Sequence, residues 1–330
     1  MPKRNFSIRE GQPLLDIVSY GRLASRGANS RLTPAQLEHI RLTVRRAPEV
    51  MVKVLPRASN DLKAVGKHLD YIGRKGTLEL ETDDGERLGG RIEQDLLNDW
   101  DLDIDDVRRQ TTLSATTKRK PPKLVHKLMF SMPPRTPPDK VLEAVRNFTR
   151  EEFWGQHRYA FVLHTDEAHP HVHVVLKAVS EEGVRLNIKK ANLRHWRSEF
   201  ARNLRLLGVE ANATERVVRG QVLESRKDGI YRANLRGDST YVRARSGRVA
   251  VDLRSRSDFV DAGKRAVETR QKIENGWRTL ADNLRETGHR ELARDIRQFV
   301  EAVPKPWRES ELSAARFLEP QRARDDKLSR

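Results

Sequence analysis

Residues 161–176 read FVLHTDEAHPHVHVVL, placing His164, His169, His171 and His173, four of the chain's ten histidines, within ten consecutive positions. Apolar runs flank the cluster on both sides, which a solvated loop would not need. A strand built only for packing would not alternate histidine with valine. The pattern fits two strands, 158-RYAFVLH-164 and 171-HVHVVLKAV-179, joined by a tight connection. Side chains two apart in a strand share a face, so His171 and His173 project together. Val172, Val174 and Leu176 then enter the opposite, helix-covered face. His164 closes the preceding strand, across the connection from His171. The chain is thereby committed to a sheet with one face left for chemistry.

The flanking sequence supplies the rest of that sheet. The segment 50-VMVKVLPR-57 alternates apolar and basic residues as a half-buried strand does. Asn60 starts a helix, NDLKAVGKHLDYIGRKG, whose Leu62, Val65, Leu69 and Ile72 form a buried stripe, with Gly76 as its expected stop. Residues 77–122, acidic then basic and ending KRKPPK, read as an irregular or weakly helical excursion. A strand follows in 124-LVHKLMFSMP-133, and Pro137 and Pro138 open a helix with Val141, Ala144, Val145 and Phe148 on one face. After the histidine hairpin, Leu193, Trp196, Phe200 and Leu207 stripe a further helix that Gly208 ends. The order strand, helix, strand, helix, strand, strand, helix over 50–210 predicts an α+β domain, a central antiparallel sheet with helices on one face. Residues 1–48 form an N-terminal extension, in which Thr33-Pro34-Ala35-Gln36 caps a helix over 34–46. The central domain spans 49–220. Residues 221–330 hold a basic hairpin, 240-TYVRARSGRVAVDL-253, and two helical stretches near 258–286 and 289–303.

Three imidazoles around an open coordination sphere are what a hydrolytic metal site uses, and His164, His171 and His173 can supply them. The chain has no cysteine, so any metal must be held by His, Asp or Glu. Asp166 can serve as an outer partner that orients an imidazole. His169, set apart by Pro170, suits turn capping as well as ligation. Lys and Arg number 64 against 47 Asp and Glu, a formal charge of +17 that attracts polyanions, nucleic acid foremost. No apolar run approaches the ~20 residues of a membrane span, and no secretory h-region or phosphate-binding GxxxxGK[ST] occurs. A soluble cytoplasmic partner of nucleic acid is the expectation.

A second clue lies in 68-HLDYIGRKG-76. At about 100° per residue, Tyr71 stands well off the Leu62/Leu69 stripe, one turn before Arg74 and Lys75. A core tyrosine would sit on the stripe. The basic pair can hold a phosphate beside the phenol, and together with a metal triad this suggests phosphodiester chemistry.

HTDEAHPHVHVVL resembles the third motif of conjugative relaxases of the HUH endonuclease superfamily, and YIGRKGTLEL resembles their first. The resemblance is to mobilisation endonucleases related to the T-DNA border nuclease, with a MobA-type relaxase domain. It extends over about residues 50–220, including 128-LMFSMP-133 and 213-ATERVVRG-220. It implies that Tyr71 attacks a DNA phosphate and becomes linked to the new 5′ end, leaving a 3′-hydroxyl. His164, His171 and His173 would hold a divalent ion, and Asp166 would orient a histidine or help deprotonate the tyrosine. Ser131 falls where the family carries a less defined second motif. Arg74 and Lys75 would bind DNA. The resemblance implies Mg²⁺ or Mn²⁺, whereas ligand softness suits Mn²⁺ or Zn²⁺. The partners it implies are single-stranded origin-of-transfer DNA, relaxosome accessory proteins, and the coupling ATPase of a type IV secretion system. The protein would act in the bacterial cytoplasm, without membrane insertion, and be open to export with the transferred strand. Two rival readings are a histidine-triad nucleotide hydrolase or transferase, from H-P-H-V-H-V-V at 169–175, and a non-catalytic basic DNA-binding protein. Neither explains His164 and the tyrosine motif together.

Overall fold

In the computed structural model the described residues are 16–17, 32–55, 61–90, 92–107, 122–220, 233, 236–241, 243–244 and 264–303. Contacts group the chain into two compact units, one of 35–213 and one of 15–34 with 214–330, leaving aside a short N-terminal segment.

The first unit is built on six strands: β1 (Met51–Val54), β2 (Leu80–Thr82), β3 (Arg87–Leu88), β4 (Val125–Ser131), β5 (Tyr159–His164) and β6 (His171–Lys177). They lie in the order β1-β4-β6-β5-β2-β3, and every neighbouring pair is antiparallel. The helices are α1 (Pro34–Val44), α2 (Leu62–Ile72), α3 (Ile92–Asp99), α4 (Pro138–Phe153) and α5 (Lys190–Leu206). This is the α+β fold expected from the element order.

Helices cover both faces of the sheet, where the sequence led us to expect one. Directly paired residues share a face, so Val52, Phe130 and Val172 lie together, as do Leu128, Val174 and Phe161. Against them α4 and α5 pack Val141, Val145, Phe148, Trp196 and Phe200. The other face carries Ala160, Val162 and Val175, covered by Val65, Leu69 and Ile72 of α2 and Leu96 of α3. The second layer was hard to see because α3 lies inside the acidic excursion. Its neighbours there, β2 and β3, form a short hairpin in the same stretch.

Local chemistry explains the element ends. Asp61 caps α2, accepting from the Ala64 amide at 2.7 Å; Asn60, the expected start, lies outside the described residues. The helix stops at Ile72 and not at Gly76, with the Gly73 amide on the Leu69 carbonyl at 2.8 Å. Pro138 occupies the first helical position of α4. Arg158, at the start of β5, ties the sheet edge down by reaching the Asp83 carboxylate at 2.9 Å and Asp99 at 2.6 Å. Arg146 of α4 grips Glu81 of β2 in a fork of 2.5 and 2.7 Å.

The second unit centres on α6 (Lys264–Glu286) and α7 (Arg290–Ala302), turned at Gly288 with φ of 92°. Trp277 and Phe299 meet at 5.4 Å in its core, and the Trp277 indole donates to the Val218 carbonyl at 3.1 Å. A Cβ on Gly276 would come within 2.5 Å of the Ile17 carbonyl oxygen, so glycine is required for that approach. The expected hairpin at 240–253 is not seen at its start. Residues 240, 241, 243 and 244 are helical, with the Arg243 amide on the Ser239 carbonyl at 3.1 Å. The rest of that segment, Arg245 and Arg248 included, lies outside the described residues, as does 304-PKPW.

Candidate metal centre and active site

The register of the central hairpin builds the site. His164 pairs directly with His171, and His173 follows two residues later on the same face. Ring centroids lie 4.7 Å apart for His164 and His173, and 5.2 Å apart for each of the other pairs. All three are buried, and one nitrogen from each falls within 4.8 Å of the others. Ser131 stands across from His171 on β4, buried on the same face, with its hydroxyl 3.4 Å from the Met132 carbonyl.

Backbone carbonyls orient two of these imidazoles. His164 donates Nε2–H to the Ile72 carbonyl at 2.7 Å, which leaves Nδ1 as its lone-pair nitrogen. His171 donates Nδ1–H to the His169 carbonyl at 3.0 Å, freeing Nε2. The His169 side chain itself is exposed and outside the cluster. His173 keeps a buried Nδ1 without a hydrogen-bond partner. Burial lowers the pKa of His164, opposed by the Ile72 hydrogen bond and reinforced by the Arg74 charge. Burial first, then the neighbouring imidazoles, push His173 down to about 3. Both are therefore neutral near pH 7 and able to donate a lone pair. A buried, nitrogen-only donor set with an unpaired nitrogen fits a divalent transition ion.

Tyr71 belongs to the same neighbourhood. It is 55% exposed while Val65, Leu69 and Ile72 of its helix are buried. Its ring stacks on His68 at 6.5 Å, and His68 meets His173 edge-on at 6.3 Å. The Arg74 guanidinium carbon lies over the same ring, 5.3 Å from its centre. The same guanidinium pairs with Asp166 and places Nη2 3.3 Å from His164 Nδ1. Asp166 Oδ1 is 4.0 Å from that nitrogen, so a carbonyl sets the His164 tautomer and Asp166 acts beside it through Arg74. Lys75 is exposed on the adjoining turn.

That turn has an unusual backbone. Arg74, Lys75 and Gly76 follow one another at φ of 51°, 56° and 83°. Left-handed geometry costs an ordinary residue roughly 1–2 kcal/mol. Hydrogen bonds from the Lys75 amide to Asp70 at 2.9 Å and from Leu78 to Gly73 at 3.0 Å hold it in place. A Cβ on Gly76 would meet the Gly90 carbonyl oxygen at 2.7 Å. The turn thus aims Arg74 back over Tyr71 and toward His164.

His68 was missed from the sequence, although its i, i+3 spacing to Tyr71 places both on one side of α2. The Ile72 and His169 carbonyls had no signal, because every residue carries one.

Fold and site define an α+β domain with a three-imidazole centre and a tyrosine at its rim. Residues 71–205 match the family described as relaxase, MobA/VirD2-like, nuclease domain. This stretch runs from Tyr71 through every histidine of the cluster and is similar to a MobA-type relaxase nuclease domain. No curated protein matches the chain. Among the described residues no helix is long and apolar enough to cross a membrane.

Proposed function

We propose that this protein is a site- and strand-specific DNA relaxase that nicks single-stranded origin-of-transfer DNA through a phosphotyrosyl link at Tyr71. The observation that carries the reading is Tyr71 standing exposed against both His68 and Arg74, one residue before the carbonyl that orients His164. Tyr71 Oη attacks the scissile phosphorus, the bond to the 3′ oxygen breaks, and the phosphate stays on Tyr71. The phenol proton leaves to water and the departing 3′ oxygen takes one up. A free phenol has a pKa near ~10 and is a poor nucleophile, so positive charge beside it is needed, and Arg74 lies over the ring. His164, His171 and His173 would hold a divalent ion, Mg²⁺ or Mn²⁺, that withdraws charge from the phosphoryl oxygens. Asp166 fixes the Arg74 guanidinium, and Lys75 contacts the DNA backbone. The bond energy is kept in the phosphotyrosine, so a returning 3′-hydroxyl rejoins the strand without ATP. Relaxosome proteins, a type IV coupling ATPase and a bacterial cytoplasmic setting belong to the same proposal, which the net charge of +17 supports.

The test uses single-stranded oligonucleotides tiling both strands of the DNA beside the protein's own coding sequence, each labelled on its 3′ side. With Mn²⁺ present, the label should migrate with the protein on a denaturing gel, and Tyr71→Phe should abolish that band while leaving DNA affinity unchanged. A labelled band from the Phe variant would contradict the assignment.

A further inference from the structure

An imidazole nitrogen has one lone pair, and at His164 two cations have a claim on it. Its Nε2 is committed to the Ile72 carbonyl at 2.7 Å, so Nδ1 is the only nitrogen left for a metal. That nitrogen faces Arg74 Nη2 at 3.3 Å, and the guanidinium is held there by Asp166 and by the Tyr71 ring beneath it. A metal on Nδ1 would sit about 2.0–2.2 Å along the same lone-pair direction, where the guanidinium N–H now points. Both cannot occupy it.

We infer that Arg74 is an exchangeable resident cation of the His164 site, so that a divalent ion binds by displacing the guanidinium and thereby frees it for the DNA. The inference rests on the metal-dependent relaxase reading above. The backbone of Arg74 is fixed, with its amide on the Tyr71 carbonyl at 3.3 Å and φ of 51°, so the exchange is a swing of the side chain alone. Asp166, more than half exposed in its side chain, provides a pivot at the rim of the cluster. Once off His164, the guanidinium remains beside the Tyr71 ring, where the scissile phosphate must arrive, and its planar fork suits a phosphate oxygen pair. The exchange therefore links two binding events, metal first and phosphate second, through one side chain. It also gives Arg74 a role that Lys75 lacks, since Lys75 is exposed on the turn and adds only charge.

The test is Mn²⁺ binding by calorimetry to the full-length protein without DNA, comparing wild type, Arg74→Gln and Lys75→Gln, with circular dichroism to establish that each is folded. Losing a charge-assisted competitor should tighten Mn²⁺ binding about tenfold or more in Arg74→Gln, while Lys75→Gln should change it by less than about threefold. A second readout follows the ¹⁵N side-chain resonances of Arg74, which should shift as Mg²⁺ is added to wild type. Equal affinity in wild type and Arg74→Gln, or an unmoved Arg74 resonance at saturating metal, overturns the exchange while leaving the metal site intact. Absence of binding in all three proteins overturns the metal reading and the exchange together. Equal tightening by both glutamine variants would reduce Arg74 to a general charge effect and overturn the exchange alone.

Discussion

His169 shows how a site residue can matter without its side chain. Its carbonyl orients His171 while its imidazole faces solvent. His169→Ala should therefore leave Mn²⁺ affinity, read by calorimetry, within about threefold of wild type. Removing the proposed ligands themselves, in His171→Ala or His173→Ala, should cost at least the 10–100-fold typical even of outer partners. Loss of metal in His169→Ala as complete as in His173→Ala would show that the triad is wrongly drawn. Strand parity made His171 and His173 legible as a pair, and the short connection brought in His164. What the sequence could not show is which group holds each ring. Asp166 was the obvious orienting partner on chemistry, but the Ile72 carbonyl took His164 and Arg74 took Asp166. Backbone acceptors leave no mark in residue identity.

At the scale of elements, the turn after α2 is the most constrained piece of backbone near the site. Gly76→Ala places a methyl against the Gly90 carbonyl at a residue already left-handed. It should destabilise the domain by about 1–3 kcal/mol in urea unfolding, and strand cleavage should fall with it as Arg74 loses its aim. The α4–α5 layer behaves differently. Phe148, Phe153 and Trp196 interlock at 5.4–6.4 Å, and Trp196 also donates to Glu152 at 2.8 Å. Phe148→Ala should cost about 3–5 kcal/mol without a specific effect on metal affinity. Elements with strong periodicity and marked ends, such as α4 behind its prolines, were readable. The hairpin β2–β3 and α3 were not, because strands of three and two residues carry too little pattern and α3 is short and acidic. The expected 240–253 hairpin failed at its start because alternating arginine and apolar residues also satisfy a helical turn when Ser239 can accept the Arg243 amide.

The whole molecule should respond to acid through two neutral histidines, the half-buried His39 and the buried His126. Burial, against a bond to Asn212, pushes His39 down to about 4, and burial, against one to the Leu186 carbonyl, does the same for His126. Both folded values lie below the 6.5 of an unfolded chain, so the unfolded state takes up protons first on acidification. Their contribution is full above pH 6.5 and falls as pH drops toward 4, by on the order of 2 kcal/mol each at pH 5. Urea unfolding at pH 7.5 and pH 5 measures this, and equal stability at both would contradict neutral imidazoles at His39 and His126. The positive charge should appear as a salt dependence of single-strand affinity, with a log–log slope of about 0.7 for each phosphate neutralised. A triple variant of Arg243, Arg245 and Arg248 tests the share carried by the second unit. Nicking at saturating DNA should persist in it.

The central claim is that Tyr71 forms the covalent bond to DNA, and the most direct measurement is mass spectrometry of the trapped adduct. Trypsin cuts after Lys67 and Arg74, releasing 68–74, HLDYIGR, as one peptide with a single tyrosine. After nuclease trimming, that peptide should carry the mass of a 5′-linked nucleotide, with fragmentation placing it on Tyr71. A nucleotide found on the peptide containing His169, His171 and His173, or on any other tyrosine, would contradict the account.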